Sequence, residues 1–458
     1  MVCAMNLSIK NYYHIYIVAI SALILSFFRI KHSLKQVPVF GNYDSASYFE
    51  FSLFGGLRMP LITFIYSTIE NQNSIVLLQS ILSLISFTVL GLVFFKLKKN
   101  KNITIIFSVA VLLLGNTNQV VYLDSTIDSE SLNITFLILL LSSLINLFNS
   151  KRQFNAFILF LMALILYSGI KTMNNIVSIF VIFLLLIFCK NLLILKGKEV
   201  ISYALISFLI ISNIYYFMKV NITPELNTSG IINSRIWEVP NWKKSVLESN
   251  FPVEARSIYL RFKNENLGLP PDTAVGNLPQ FQIWYSKVGK NFLIEFMIKH
   301  PGYTFFGPIA LPVFSNNFSL HETVWRGVAS GVLDNNTYLS PNSNFSSFDF
   351  IFWPLERTNA YIYVSLILFV LSISFFILIN SQNQLKNLNL LKIFTLLSLF
   401  ISYFAWWFGS TPPDLARHQF PFAISMRILF LYSLLLIVDL ILKKGNIKLF
   451  LKRKLVLS

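Results

Sequence analysis

Five charged or titratable side chains occupy short polar segments between long apolar runs of this 458-residue chain: Asp44, Glu130, Lys171, Arg417 and His418. A carboxylate this close to hydrocarbon is costly unless it faces a wet cavity or a partner, so it is a candidate functional residue. A positioned carboxylate can act as a general base, and lysine and arginine can stabilise developing negative charge. Acids, a lysine and an arginine in these segments would suit a charged lipid head group.

The composition indicates that membrane-spanning helices must position these residues. The chain is 55% hydrophobic and 12% charged, whereas soluble domains carry about 25% charged residues. Apolar runs near the roughly 20 residues that a bilayer requires occur at 13–28, 74–95, 103–116, 132–148, 155–170, 174–189, 200–218, 361–380, 391–408 and 421–442. The sequence therefore predicts an all-α polytopic membrane protein with about ten transmembrane helices.

The distribution of basic residues predicts the orientation of these helices. The net charge of +17 would also suit nucleic acid, but Lys and Arg cluster in alternate short loops, as the positive-inside rule expects. We therefore expect no nucleic-acid partner, cytoplasmic termini, and the candidate residues on the outer or lumenal face. The basic C-terminal tail is expected to bind membrane lipid. A bacterial inner membrane, with the site on its periplasmic face, is preferred because the long Asn-rich loop and two cysteines need no oxidising lumen.

The chain divides into three predicted regions. Residues 1–219 form an N-terminal transmembrane module whose first outer loop (30–58) carries Asp44, and residues 361–458 form a C-terminal transmembrane module. Between the seventh and eighth spans lies the large outer loop, 220–360, which we expect to be folded because structureless loops beyond about 15 residues are uncommon. Its segment 283–298 has helical apolar spacing and is expected to lie on the membrane, ending at His300-Pro301. The Asn-rich segment 316–344 is expected to be an irregular lid.

Three short motifs resemble a known family. The first loop, with Asp44 and Tyr48 followed by Arg58-Met59-Pro60, resembles the start of the GT-C superfamily of polyprenyl-phosphate-sugar-dependent glycosyltransferases. Its protein O-mannosyltransferase and aminoarabinose-transferase branch has the most similar pattern. Ser129-Glu130-Ser131-Leu132 is similar to that branch's Thr-Glu-Ser-Leu, with Ser in place of Thr. Arg417-His418-x-x-Pro421 is similar to its late Arg-Tyr or Arg-His motif.

The order of these motifs covers nearly the whole chain, with two departures from the family pattern. Asp44 is followed by Ser45 where many members carry a second acid, which weakens any metal assignment. The large outer loop matches no domain known in the family, which leaves the acceptor open.

The resemblance implies an inverting transfer of a hexosyl or pentosyl group from a polyprenyl-phosphate-linked donor to a lipid, glycan or protein acceptor. Asp44 would be the general base, and Glu130 would position the acceptor or the basic groups, or hold a divalent cation with Asp44. Arg417, as a bidentate fork, and Lys171, as a point charge, would bind the leaving phosphate. Tyr48, Arg58 and His418 would complete the substrate-binding site: no metal is assigned, and no cofactor is certain.

Each candidate also has a structural interpretation. Asp44 could be an ordinary loop acid, and Glu130 could cap the fourth span, where an acid suits the helix dipole. Lys171 could extend to the membrane interface, and Arg58 could pair with Glu50. His418 could be a neighbouring hydrogen-bond partner. Asp124 and Asp128 are expected to be solvated loop acids.

Two other functions are also compatible with the sequence. An O-antigen polymerase or ligase also combines about ten to twelve spans with one large outer loop, but it relies mainly on Arg and His in its large loops. A lipid-linked-sugar flippase or transporter would carry ionisable residues near the midplane at broken helices. Arg427 and Asp439, near the last run, are the residues that would favour the transporter.

Overall fold

The computed structural model describes most of the chain. The described ranges are 2–34, 45–53, 58–69, 71–97, 100–194, 197–219, 224–237, 239–262, 271–308, 349–353, 357–381, 384–408 and 412–456. Within these ranges the regular elements are all helical, because a backbone in hydrocarbon must satisfy its own hydrogen bonds. Asp44 and the whole Asn-rich segment 316–344 predicted as a lid lie outside the described residues, as does the side chain of Arg417.

Each predicted apolar run lies in a helix. The helices of the two transmembrane regions are α1 (Val2–Ser33), α2 (Pro60–Ser67), α3 (Gln72–Lys96), α4 (Lys101–Gly115), α5 (Asn118–Ser125), α6 (Glu130–Asn149), α7 (Gln153–Ser168), α8 (Thr172–Leu193) and α9 (Glu199–Lys219), followed after the large loop by α17 (Arg357–Ile379), α18 (Leu385–Phe408) and α19 (Pro412–Val456). A 3₁₀ turn, Ser45–Tyr48, precedes α2 in the first loop.

The all-α membrane architecture is confirmed, with a smaller number of clear spans than the sequence predicts. Among the described residues, eight helices are long and apolar enough to cross a membrane, or nine if α4 and α5, bent by 43°, form one broken span. Helix α7 is apolar but has only 16 residues. Helix α6 is the most enclosed of these spans, and it packs against α3 and α7.

The large loop contains a folded helical unit, as predicted. Its helices are α10 (Pro224–Ile231), α11 (Pro240–Glu248), α12 (Val253–Phe262), α13 (Pro271–Gly276), α14 (Pro279–Trp284), α15 (Lys290–Lys299) and α16 (Asp349–Phe352). An apolar core separate from that of the spans joins aromatic side chains such as Trp237, Phe251, Trp284 and Phe296. A π-helical turn, Tyr285–Gly289, links α14 to α15. The predicted helix is therefore present, and it ends before His300 as expected.

Trp353 and Arg427 fasten the end of the large loop among the spans. The Trp353 indole is stacked on Phe420 with ring centroids 5.3 Å apart, and the Arg427 guanidinium lies 3.6 Å from the centre of its ring. Arg427 is fully buried; its Nε donates to the carbonyl of Phe352 (2.9 Å) and a terminal N–H donates to that of Ala423 (2.8 Å). These contacts give Arg427 a structural role, and they do not require a transport path.

Replacing Arg427 by Leu should destabilise the protein by about 2–4 kcal/mol, because it removes hydrogen bonds from a buried charged group and the cation–π contact with Trp353. Thermal unfolding of the purified protein in detergent measures the change as a lower Tm. Lys392→Leu is the matched control, since the half-buried Lys392 ammonium lies 5.6 Å from the Phe188 ring. Similar Tm values for the two variants would contradict the fastening role of Arg427.

Candidate active site

The first loop is ordered by Tyr48 and Arg58 and is joined by Tyr48 to the start of α6. The buried Tyr48 hydroxyl donates to Ser129 Oγ at 3.2 Å. Arg58 Nε donates to Ser47 Oγ at 2.9 Å, and its guanidinium lies 4.7 Å from the centre of the Tyr48 ring. Glu50, the partner expected for Arg58, is exposed. The loop segment that follows Asp44 therefore adjoins the Ser-Glu-Ser-Leu motif.

Glu130 lies in the first turn of α6, but the carboxylate that accepts from the start of this helix is that of Asp128. The Glu130 backbone N–H donates to Asp128 Oδ1 at 2.8 Å, so Asp128 satisfies one of the open donors at the helix start. The buried Glu130 carboxylate instead accepts from Ser129 Oγ at 3.2 Å and forms an ion pair with Lys171. Its side chain is thus directed to a cation from another helix.

Lys171 lies immediately before α8 and links two other helices. Its ammonium pairs with Glu130 at the start of α6 and lies 3.3 Å from His418 Nδ1 at the start of the last span. Because an ammonium only donates, His418 Nδ1 is the acceptor in this contact. The side chain is mostly buried and directed to Glu130 and His418, which disfavours the alternative in which it extends to the membrane interface. The structure thus brings Glu130, Lys171 and His418 together.

Asp124 and Asp128 are buried, which corrects the expectation that they are solvated. Arg29, in α1, donates to Asp124 Oδ2 from Nε (3.0 Å) and from a terminal nitrogen (2.6 Å). Ser131 Oγ donates to Asp124 Oδ1 at 2.8 Å. Arg29 also donates to Ser83 Oγ at 2.6 Å and to the carbonyl of Gly115. Sequence reasoning missed this pair because the first apolar run was predicted to end just before Arg29.

The turn that contains Asp128 is fixed from two other helices. Tyr66 of α2 donates its hydroxyl to the Asp128 carbonyl at 2.6 Å, and Gln79 of α3 donates its amide to the carbonyl of Thr126 at 3.0 Å. Burial raises the pKa of Tyr66 well above its usual value, and the charge of Asp128 adds to this shift. Tyr66 is therefore a neutral donor, and the Asp128–Glu130 turn has little freedom to rearrange.

The described residues do not support a metal centre by themselves. Within the described ranges no group of three or more His, Cys, Asp or Glu side chains could hold an ion. The Glu130 carboxylate oxygens contact Lys171 and Ser129. A divalent cation shared with Asp44 remains an untested prediction, because Asp44 lies outside the described ranges.

The fold and the cluster together define a class: an all-α polytopic membrane protein with a buried, ion-paired polar site where three spans begin. No family model matches the sequence, and no curated protein matches it. Among solved structures, the chain is similar to the archaeal oligosaccharyltransferase AglB from Archaeoglobus fulgidus in complex with an inhibitory peptide and a dolichol-phosphate, with 13% identity and a TM-score of 0.43. The similarity covers 97% of this chain and 52% of the AglB chain. This chain therefore spans about half of the length of AglB.

Replacing Asp124 by Asn should destabilise the protein by about 3–5 kcal/mol, because Arg29 would keep a buried charge without its counterion. Thermal unfolding in detergent measures the loss. The double variant Arg29→Met with Asp124→Leu should lose less than the single variant, since it removes both charges.

The matched control for this prediction is Glu248→Gln, which removes the acid of an exposed pair with Lys244 (3.8 Å). Exposed pairs contribute little to stability, so its Tm should stay near that of the parent protein. Equal Tm values for Asp124→Asn and Glu248→Gln would contradict a buried ion pair at Asp124.

Proposed function

We propose that this protein is an integral-membrane glycosyltransferase of the GT-C type. It would move a hexosyl or pentosyl group from a polyprenyl-phosphate-linked donor to a lipid, glycan or protein acceptor on the outer face of the membrane, by inverting displacement with Asp44 as the general base. The proposal combines the resemblance of three sequence motifs with one structural observation. That observation is the contact of Lys171 with both Glu130 and His418.

This contact supports the proposal because it joins parts of the motifs that are far apart in sequence. Lys171 and His418 are 247 positions apart, and the Tyr48–Ser129 hydrogen bond joins positions 81 apart. The first-loop, Ser-Glu-Ser-Leu and Arg-His segments thus come to one region of the described structure. Short motifs that matched by chance would not be expected to lie close together in the fold.

The proposed role of Lys171 is to bind the donor phosphate. An ammonium has three donor hydrogens, and the contacts described for Lys171 use two of them, to Glu130 and His418. A phosphate oxygen could accept the third. Glu130 would orient Lys171, and Arg417, next to His418 in α19, would supply a second cation. Positioned cations of this kind stabilise a leaving phosphate in the transition state.

A flippase or transporter is the second candidate, favoured by the bent pair α4 and α5 and by the buried Arg29–Asp124 pair. Broken helices with buried ionisable groups are typical of transporters. Arg29, however, lies near the end of α1, and its guanidinium contacts Asp124, Ser83 and the Gly115 carbonyl. Arg427 is engaged with carbonyls and Trp353. These groups are held by protein contacts, which favours the enzyme.

The described part of the large loop gives little support to an O-antigen polymerase or ligase. Its His300 Nε2 is hydrogen-bonded to Ser245 Oγ at 2.8 Å, and its ring packs on Phe296 with centroids 4.4 Å apart. Burial and the charge of Lys299 lower the pKa of His300. The half-buried His300 ring therefore packs against Phe296 at the end of α15.

Replacing Asp44 by Asn should reduce sugar transfer by about 10²–10⁴-fold, the usual contribution of a general base, with donor binding retained. The assay follows transfer from a panel of polyprenyl-phosphate hexoses and pentoses by protein reconstituted in vesicles, with translocation of the same donors measured in parallel. Glu50→Gln, at an exposed acid of the same loop, is the control and should keep its activity. Full turnover by Asp44→Asn would overturn the assignment, and translocation without transfer would favour the flippase.

Replacing Lys171 by Met should weaken donor binding by about 10- to 150-fold, which corresponds to the roughly 1.5–3 kcal/mol of a hydrogen bond to a charged group. Lys171→Arg should keep part of the affinity, and Arg417→Ala should weaken the donor more than the acceptor. Donor Kd and acceptor KM are measured separately in vesicles. Lys244→Met, at an exposed lysine of the large loop, is the control. A lower Tm for Lys171→Met with an unchanged donor Kd would contradict phosphate binding by Lys171 and would show that its role is only structural.

A further inference from the structure

Helix α15 of the large loop has two different apolar faces. Phe292 and Phe296 are buried in the aromatic core of the loop, although the segment 283–298 that contains them is expected from its sequence to lie on the membrane. The opposite face carries Ile294 and Ile298, which are 57% and 75% exposed. In the π-helical turn Gly302–Phe306, which follows α15, Phe305 and Phe306 are 57% and 67% exposed. We name Ile294, Ile298, Phe305 and Phe306 the apolar ridge.

The two halves of the apolar ridge are on adjacent segments. The Thr304 hydroxyl donates to the carbonyl of Met297 at 2.6 Å, which holds the turn Gly302–Phe306 beside the last turn of α15. Exposed apolar residues are common singly, but a group of large ones on one surface marks an interaction site. The ridge therefore needs a partner other than water.

Hydrogen bonds fix the position of this surface relative to the membrane. Near the end of the candidate span α18, the Tyr403 hydroxyl donates to the carbonyl of Phe305 (2.8 Å). The indoles of Trp406 and Trp407 donate to the carbonyls of Tyr303 and Thr304, both at 3.1 Å. Tyr and Trp at the end of a span mark the membrane–water interface. The ridge is thus held at interface depth, on the side where α18 ends and the span containing His418 begins.

The charged residues beside the ridge match a lipid surface. Lys287, Lys290 and Lys299 are exposed on the same helical stretch, and Glu295 pairs with Lys299 at 3.7 Å, which leaves an excess of positive charge. Lysines flanking an apolar face are the pattern of helices that lie in the interface and attract anionic lipids.

We propose that the apolar ridge is inserted into the lipid leaflet on the side of the candidate site, with the neighbouring lysines at the lipid phosphates. This anchor fastens the large loop to the bilayer beside α18. It is independent of the proposed enzymatic activity, because it depends only on the loop's exposed face and on the end of a span.

The test uses the full-length protein with both cysteines, Cys3 and Cys189, replaced by Ser, and a single new cysteine carrying an environment-sensitive fluorophore. The labelled positions are Ile298→Cys and, as a second probe of the ridge, Ile294→Cys. Glu295→Cys is the matched control, because it is exposed on the same helix beside the ridge. The protein is reconstituted at low density in phosphatidylcholine vesicles containing an anionic phospholipid.

Labels at the two isoleucines should be quenched by nitroxide attached to lipid acyl chains and protected from aqueous iodide, whereas the label at Glu295 should be quenched mainly by iodide. Equal iodide quenching at all three positions would overturn the proposal. Protection from both quenchers, with label-to-label energy transfer between protein molecules, would instead assign the ridge to a second copy of the chain and would equally overturn it.

Discussion

The buried ion pair between Glu130 and Lys171 is the interaction on which the site region depends. A carboxylate in a low-dielectric interior is tolerated only when it is paired and hydrogen-bonded, and Glu130 meets this condition through Lys171 and Ser129. Since Lys171 also contacts His418, the pair connects the starts of α6, α8 and the last span. Displacing the start of α6 or of α8 would leave a buried charge without its partner, which is costly, and displacing the last span would remove a hydrogen-bond acceptor from Lys171. Electrostatics therefore restricts the helix ends more tightly than apolar packing alone could.

A second buried pair restrains the same helix start from the opposite direction. Ser131, next to Glu130 in the chain, donates to Asp124, and Asp124 is paired with Arg29. Adjacent residues of α6 thus belong to two polar networks, one reaching α8 and α19 and the other reaching α1 and α3. Because α6 is largely enclosed by other helices, its first turn can carry a charged side chain without exposing it to lipid. The enclosure of α6 by other helices is therefore what allows charged residues to lie at its start.

Features that depend on local hydropathy could be predicted from the sequence. Features that depend on contacts with residues far away in the chain could not. Long apolar runs must be helical in a membrane, so every predicted run lies in a helix. Loop alternation also placed Glu130, Lys171 and His418 on one side, where the structure joins them. It could not show that Asp124 and Asp128 are buried, because burial depends on Arg29 and Tyr66 from distant elements. Similarly, the periodicity of 283–298 identified an amphipathic helix, but it could not distinguish the face that packs on the loop's aromatic core from the exposed face.

Charge balance connects the described cluster to the part of the site that lies outside the described residues. Glu130 and Lys171 neutralise each other, so the pair has no net charge with which to attract an anion. The phosphodiester of a polyprenyl-phosphate sugar would bring a negative charge close to Glu130, and this approach would be unfavourable without another cation. Under the proposed function Arg417 fills that role, because it adjoins His418 in α19 and His418 contacts Lys171. A site built this way would bind the donor only when arginine and lysine act together, with Glu130 setting the position of the lysine rather than removing the acceptor's proton. Under the proposed function the base is then a different carboxylate, and the family resemblance assigns that role to Asp44, in agreement with an ion-paired Glu130.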